Sequence, residues 1–250
     1  MLRAVRTEAA RWQKTMSPDS LHDLRVSGRR YRTALRLFRP LLSPLAAKAI
    51  DDRLRLLALA SGPARDRDVA DALAAQDPAC PIGTQHRRLR RFLAGREFRR
   101  LTRDAEAQNL ALRALHPRCA PDFQSLVARR LSAQYGKLVS LHPLRHLDEA
   151  DYLHRCRKVA RRLRYTAESA APMRGKGMRD FAALLHPLTT ALGNLHDLDV
   201  AAHLRRHTMH GWMKAARARH VKLTRAAWKC VAGREGRRLL RLAKAGAKGG

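Results

Sequence analysis

Apolar residues recur at helical spacing along most of the chain. Leu2, Val5, Ala9, Trp12 and Met16 share one stripe and predict a short helix over residues 2–15. Ser17-Pro18-Asp19 reads as the next helix start, with Ser17 as N-cap and Pro18 in the first turn. That helix runs to about Phe38, buries Leu24, Tyr31, Leu35 and Phe38, and stops at Pro40. Ser43-Pro44 opens a helix to about Ala60. Gly62-Pro63 is expected to break it, with a short helix over 66–76 and a loop over 77–83. A long helix over 84–115 ends by Pro117, and another runs from Pro121-Asp122 to about Ser140, with His142-Pro143 closing the first half. The second half repeats the plan. A helix over 148–171 buries Leu153, Cys156, Ala160, Leu163 and Ala167 and ends at Pro172. Gly175 and Gly177 mark a loop. A helix to Leu192 is expected to bend or break near Pro187, followed by a turn at Gly193-Asn194, a short helix over 197–208 and a long one over 212–232. Residues 233–250 are rich in Gly, Lys and Arg and are expected to fray. No stretch alternates as a strand, so the fold class is all-α.

The polar faces carry a second pattern. His22, Arg25, Arg29 and Arg32 fall at i, i+3, i+7 and i+10, one stripe of a helix, and Arg36 extends it. The pattern recurs 132 residues later as His154, Arg157, Arg161 and Arg164. Arg30 and Arg162 match it from off the stripe, Lys158 lies beside it, and Glu168 stands where Arg36 stood. Like charges three and four residues apart weaken a helix unless solvent screens them or an anion lies over them. A solvated face does not explain two copies in register, whereas the planar guanidinium fork matches phosphate oxygens. The long helices repeat too: Arg88 and Arg91 correspond to Arg219 and Lys222 and would extend a basic lining. A further duplicated segment is Gly62-Pro63-Ala64-Arg65-Asp66-Arg67-Asp68-Val69 against Gly193-Asn194-Leu195-His196-Asp197-Leu198-Asp199-Val200. It has two readings. Gly ends one helix and Asp begins the next, or Asp66 and Asp197 orient guanidiniums of the basic helices from behind.

Composition sharpens this. The chain has 250 residues, 45% of them hydrophobic, enough to bury a core, and 52 Lys and Arg against 21 Asp and Glu give a net charge of +31. A polyanionic partner is the leading expectation. Cys80, Cys119, Cys156 and Cys230 are far apart and form no CxxC pair, which points to reduced thiols rather than a disulfide framework or a zinc site. No apolar run approaches the ~18 residues of a membrane span. The Arg-rich N-terminus carries Glu8 and no continuous apolar region, so no secretory signal is expected and the expected location is the cytoplasm. His22 and His154 lack a second ligand at i+4 and have cationic neighbours that oppose a metal ion. They are expected to donate to an anion, more strongly as they protonate below the ordinary value near 6.5. His203, His207 and His210, at i, i+4 and i+7, fit either a transition-metal site or a polar helix face, the latter being the default. No P-loop, HExxH, paired ExExK carboxylates or serine elbow is present, so no enzyme is expected. Aromatic content is 5%, and Trp12, Trp212 and Trp228 occupy core-like positions, which argues against stacking platforms for single strands while leaving a helix-turn-helix open.

The paired His-x2-Arg-x3-Arg-Arg-x-Arg helices, each followed by a Gly-x3-Asp-x-Asp-Val segment, resemble the CHAD domain, the conserved histidine α-helical domain, over about residues 10–235. The resemblance implies two pseudo-symmetric four-helix bundles, over 10–141 and 147–235, around a basic central channel, with a disordered basic tail over 236–250. It implies binding of inorganic polyphosphate and association with polyphosphate granules, with no cofactor and no metal. His22, Arg25, Arg29, Arg30, Arg32, His154, Arg157, Lys158, Arg161, Arg162 and Arg164 would form the binding surface. Such domains are often fused to a CYTH triphosphatase domain. This chain lacks its acidic motif and would act as a stand-alone binding module. Two positions depart from the pattern: His196 replaces the arginine present as Arg65, and Glu168 acidifies one end of the second stripe. The rival reading is a non-specific nucleic-acid or nucleoid-associated binder using the same charge.

Overall fold

A computed structural model describes residues 1–73, 86–115, 120–204 and 211–245. Among these residues all regular structure is helical: α1 (Leu2–Thr15), α2 (Pro18–Phe38), a 3-10 turn (Arg39–Leu41), α3 (Pro44–Leu73), α4 (His86–Ala94), α5 (Arg96–Leu115), α6 (Ala120–Leu141), α7 (Ala150–Arg174), α8 (Lys176–Leu204), α9 (Gly211–Ala232) and α10 (Arg234–Ala245). The chain divides into two compact units, Met1–Ala120 and Pro121–Gly250.

In the first unit the expected stripes become the core. Leu2, Val5, Ala9 and Trp12 of α1 and Leu21, Leu24, Tyr31 and Leu35 of α2 are buried against Ile50, Leu54 and Leu57 of α3, while Met16 and Phe38 pack at its edge. Ser17 caps α2 as expected, its hydroxyl accepting from the Ser20 amide at 3.2 Å. The expected break at Gly62-Pro63 is absent: α3 runs through it as one helix. The reason is packing. Ala47, Ile50, Leu54, Leu57, Ser61 and Ala64 continue a single buried stripe across the proline, and its burial outweighs the roughly 3 kcal/mol an interior proline costs. The single long helix expected over 84–115 is instead α4 and α5, separated at Gly95. The Gly95 amide turns to bond the Phe92 carbonyl at 3.1 Å, and a Cβ there would stand 2.9 Å from the Arg91 carbonyl oxygen. The expected loop over 77–83 and the helix end at Pro117 lie outside the described residues.

In the second unit Leu153, Cys156, Ala160, Leu163 and Ala167 of α7 are all buried, as their spacing predicts. α8 likewise runs unbroken through Pro187 and Gly193, carried by the buried stripe Met178, Phe181, Leu185, Leu188, Leu192, Leu195 and Leu198. The turn expected at Gly193-Asn194 is therefore helical. α7 continues two residues beyond Pro172 and stops at Gly175, whose φ of 74° favours glycine. Gly177 belongs to α8, not to a loop. α6, which the sequence places in the first half, belongs to the second unit. Its Tyr135 hydroxyl donates to the Val231 carbonyl at 2.9 Å, and its ring lies against Phe181. The tail is the largest departure, since residues 234–245 form α10 rather than fraying. Gly236, Leu239 and Ala243 are buried, α8 approaches so closely at Gly177 that a Cβ there would lie 3.1 Å from the Leu242 backbone, and the buried Arg174 guanidinium donates to the Ala243 and Lys244 carbonyls. Residues 246–250 lie outside the described residues. Trp12 and Trp228 are core residues, but Trp212 is 42% exposed.

Candidate anion-binding site

The α2 stripe is built against α3. Arg25, Arg29 and Arg32 line a cavity of about 30 Å³ together with Leu54, Leu57, Ala58 and Ser61 of α3, room for about one water. Arg25 donates from Nη1 to the Ser61 hydroxyl at 2.9 Å and to the Ala58 carbonyl at 3.1 Å, and Ser61 in turn donates to the Leu57 carbonyl at 2.7 Å. Gly62 follows in the same turn. A Cβ there would stand 3.8 Å from Arg25 Nη1, so the duplicated glycine is the place where α3 meets the basic helix rather than a helix end. Arg32 makes a two-pronged pair with Asp51, Nε to Oδ1 at 2.9 Å and Nη2 to Oδ2 at 3.0 Å, and Arg36 reaches the same carboxylate at 3.6 Å. Burial pushes the Asp51 carboxyl up, but the hydrogen bonds and charges of the two arginines outweigh that and hold it below the usual range. His22, Arg30 and Arg36 are exposed.

The α7 stripe meets α8 at the equivalent place. Arg157 Nη2 lies 3.7 Å from Asp197 Oδ1, and a Cβ on Gly193 would stand 3.9 Å from Arg157 Nε. Asp197 thus lies beside a guanidinium of the basic helix. Asp66 is exposed on α3, one turn beyond Gly62. Arg164 pairs with Glu168 at 3.2 Å and donates to the Thr189 hydroxyl at 2.9 Å, so Glu168 neutralises the end of its own stripe. Arg161 is half-buried, and Lys158 and Arg162 are exposed. His154 stands beside His196, ring centroids 4.8 Å apart. The surroundings of His154 shift the value at which it protonates. Burial, then the charges of Lys158, Arg157 and Arg161, hold it below its ordinary value. Burial, then the charges of Arg157, His154, Arg161 and Lys158, take His196 down to about 3.

The wider basic lining is not joined to these clusters by any hydrogen bond or ion pair among the described residues. Arg88 and Arg91 are exposed on α4, and Arg219 and Lys222 on α9. The residues that sequence reasoning passed over are Asp51 and Ser61, and it gave His196 no role beyond a departure from the pattern. Asp51 carried a signal, since acidic residues are scarce between the two duplicated motifs of the first half and a partly buried arginine requires a partner. Among the described residues no three His, Cys, Asp or Glu side chains gather in a metal-binding arrangement. His203 is exposed on α8, and His207 and His210 lie outside the described residues. Cys156 is a buried free thiol and Cys230 an exposed one, while Cys80 and Cys119 lie outside the described residues. No described helix is long and apolar enough to cross a membrane.

Comparison with known proteins agrees with this architecture. The family model of the CHAD domain matches residues 1–206. Among solved structures, the crystal structure of the CHAD domain from the plant Ricinus communis is similar with a TM-score of 0.65 and 22% sequence identity, over 98% of this chain and 87% of that one. No curated protein matches the chain.

Proposed function

The chain belongs to the CHAD domain family, and from that premise we propose that it binds inorganic polyphosphate, without turnover, through the His/Arg stripes of α2 and α7. The observation that carries this is the way the arginines are held. Arg25 is fixed by Ser61 and Ala58, Arg32 by Asp51, and Arg157 by Asp197. Guanidiniums already ordered lose less freedom when an anion arrives. Polyphosphate carries about one charge per phosphate and has no bases to read, so its affinity rests on backbone charge alone. By analogy with single strands and duplexes, log affinity falls by roughly 0.7–0.9 per phosphate for each unit of log salt. The carboxylates beside the stripes, Asp51, Asp197 and Glu168, face guanidiniums, which favours binding over metal-assisted cleavage of the chain. A phosphate-release assay with Mg²⁺ or Mn²⁺ is expected to show no turnover. On this reading the protein would act in the cytoplasm, including on polyphosphate granules.

The test is calorimetric titration with polyphosphate over a salt series, with duplex DNA as the parallel ligand. Tight polyphosphate binding and weaker DNA binding are expected. Arg25→Glu combined with Arg157→Glu is expected to weaken polyphosphate on the order of a hundredfold or more, since each reversal removes a charge-assisted contact. Affinity that survives the double reversal would show that the stripes are not the site. The net charge of +31 favours one rival, a general nucleic-acid binder. Equal affinity for polyphosphate and duplex at matched charge would support it.

A further inference from the structure

The duplicated segments of the two units differ at four positions, one of which stands beside His154. Where the first has Arg65, the second has His196. The His196 ring lies 4.8 Å from that of His154, tilted by 48°, and His154 Nδ1 is buried with no hydrogen-bond partner. The pair sits in a positive field. From α7, Arg157, Lys158 and Arg161 act on both rings, opposed at His154 by Asp151. From α8, Asp197 faces Arg157 at 3.7 Å. Both imidazoles are consequently neutral at rest, a poor state for holding an anion by charge. An imidazole beside cations changes character once an anion arrives. The anion offsets the field of Arg157, Lys158 and Arg161 and adds its own attraction for a proton. At an effective dielectric of ~20, a unit charge about 4 Å away raises the pKa of such a group by roughly three units.

We propose that His154 and His196 together form a phosphate subsite of the second unit that takes up a proton from solvent as the phosphate binds. The proposal rests on the polyphosphate reading above. It makes His196 a ligand-contacting residue, not merely a lost arginine. Protonated, an imidazole donates from both nitrogens, which gives the orphaned His154 Nδ1 a role. The sign follows from linkage. The bound form holds the proton more tightly than the free form, so between the two values the complex carries more protons. Affinity then rises as pH falls, by at most tenfold per pH unit for each proton taken up. With His196 starting from about 3, a rise of roughly three units places the window near pH 6. The first unit, with Arg65 in the equivalent place, gains nothing comparable there.

Long-chain polyphosphate is the probe, because its interior phosphates do not titrate in this range. Calorimetry from about pH 7.5 to about 5.5, in two buffers of different ionisation enthalpy, counts the protons taken up. Through His196 the wild-type chain is expected to take up about half a proton per second-unit site at pH 6 and about three-quarters at pH 5.5. His186→Gln, at an exposed position of α8 outside the site, is expected to keep that uptake. His196→Arg is expected to lose it while binding at least as tightly near pH 7.5. Uptake that persists in His196→Arg, or that vanishes in His186→Gln, would overturn the assignment. A measurement without variants guards against misfolding. Histidine Cε1–H resonances titrated with and without polyphosphate should show two imidazoles whose pKa rises on binding, and no such rise overturns the proposal. If no polyphosphate binds at any pH, the functional reading itself fails. Binding without proton uptake leaves that reading standing and removes only the histidine subsite.

Discussion

Single side chains set the strength of this site in two opposed ways. Asp51 orders Arg32 and Arg36, yet it cancels part of the charge an anion would meet. Asp51→Asn keeps the size and removes the charge. Breaking a partly buried, two-pronged pair is expected to cost about 1–3 kcal/mol of stability in the first unit. The freed positive charge is expected to tighten polyphosphate binding several-fold at low salt, an advantage that fades as salt screens it. A thermal melt and a titration on the same variant read both effects, and a variant that loses affinity would show that ordering matters more than charge. The histidines give a separate expectation. His154 and His196 are both held below their ordinary value, burial being the larger cause and the neighbouring cations the next. The unfolded chain therefore binds more protons than the folded one between about 3 and 6.5, and the unligated protein should lose stability as pH falls through that interval. Melting temperatures from pH ~7 to ~5 should fall, and His196→Gln should flatten the decline. The arginine and histidine stripes were legible in the sequence because they share a period with the helices that carry them. Ser61, Asp51 and His196 were not, because they reach the stripe from a neighbouring helix whose register only packing fixes.

Punctuation residues and periodicity compete at the level of helices, and here periodicity wins. Pro63 and Pro187 read as helix ends, but the buried stripes of α3 and α8 pass through both without a change of phase. That continuity was present in the sequence. Ala47, Ile50, Leu54, Leu57 and Ala64 keep the i, i+3, i+4 spacing, as do Leu185, Leu188, Leu192 and Leu195. The break at Gly95 and the helix at 234–245 were less legible, since both depend on close backbone approach. α10 was hidden by its composition. Five of its residues, Arg234, Arg237, Arg238, Arg241 and Lys244, are exposed cations, and it is fastened by Leu239, Ala243, two close glycines and the Arg174 guanidinium. A Cβ on Gly236 would fall 1.8 Å from the Val231 carbonyl oxygen, a distance that backbone cannot yield without moving the helix. Gly236→Ala is therefore expected to detach α10. Hydrogen exchange in residues 237–245 should approach that of an unprotected helix while α2 and α3 keep their protection. Arg174→Met should act in the same direction and more weakly, by about 1–3 kcal/mol, because it strips the Ala243 and Lys244 carbonyls of their buried donor. Unchanged exchange in both variants would mean that α10 is held by its apolar side chains alone.

For the molecule as a whole, the net charge of +31 opposes the folded state and would favour the proposed complex with polyphosphate, and the two effects respond to salt with opposite sign. Cations crowded onto folded helices repel one another more than in an expanded chain, so added salt should raise the melting temperature of the free protein. On the proposed reading, polyphosphate would supply the countercharge directly. A ligand present at a hundred times its dissociation constant stabilises the folded state by about 2.7 kcal/mol, and for domains of this size each kilocalorie raises the melting temperature by roughly 2–4 °C. A shift of roughly 5–10 °C is expected at low salt. Raising the salt should then lift the melting temperature of the free chain while lowering the affinity for polyphosphate, so that the two melting curves converge. Melts at a fixed excess of polyphosphate over a series of NaCl concentrations test this. A shift that stays constant as salt rises would require contacts other than charge, and those would have to be sought outside the arginine stripes. Convergence, with the point of merging moved to lower salt by Arg25→Glu and Arg157→Glu, would tie the stabilisation to those two helices in particular, because the same reversals also relieve repulsion in the free chain and so raise its own curve.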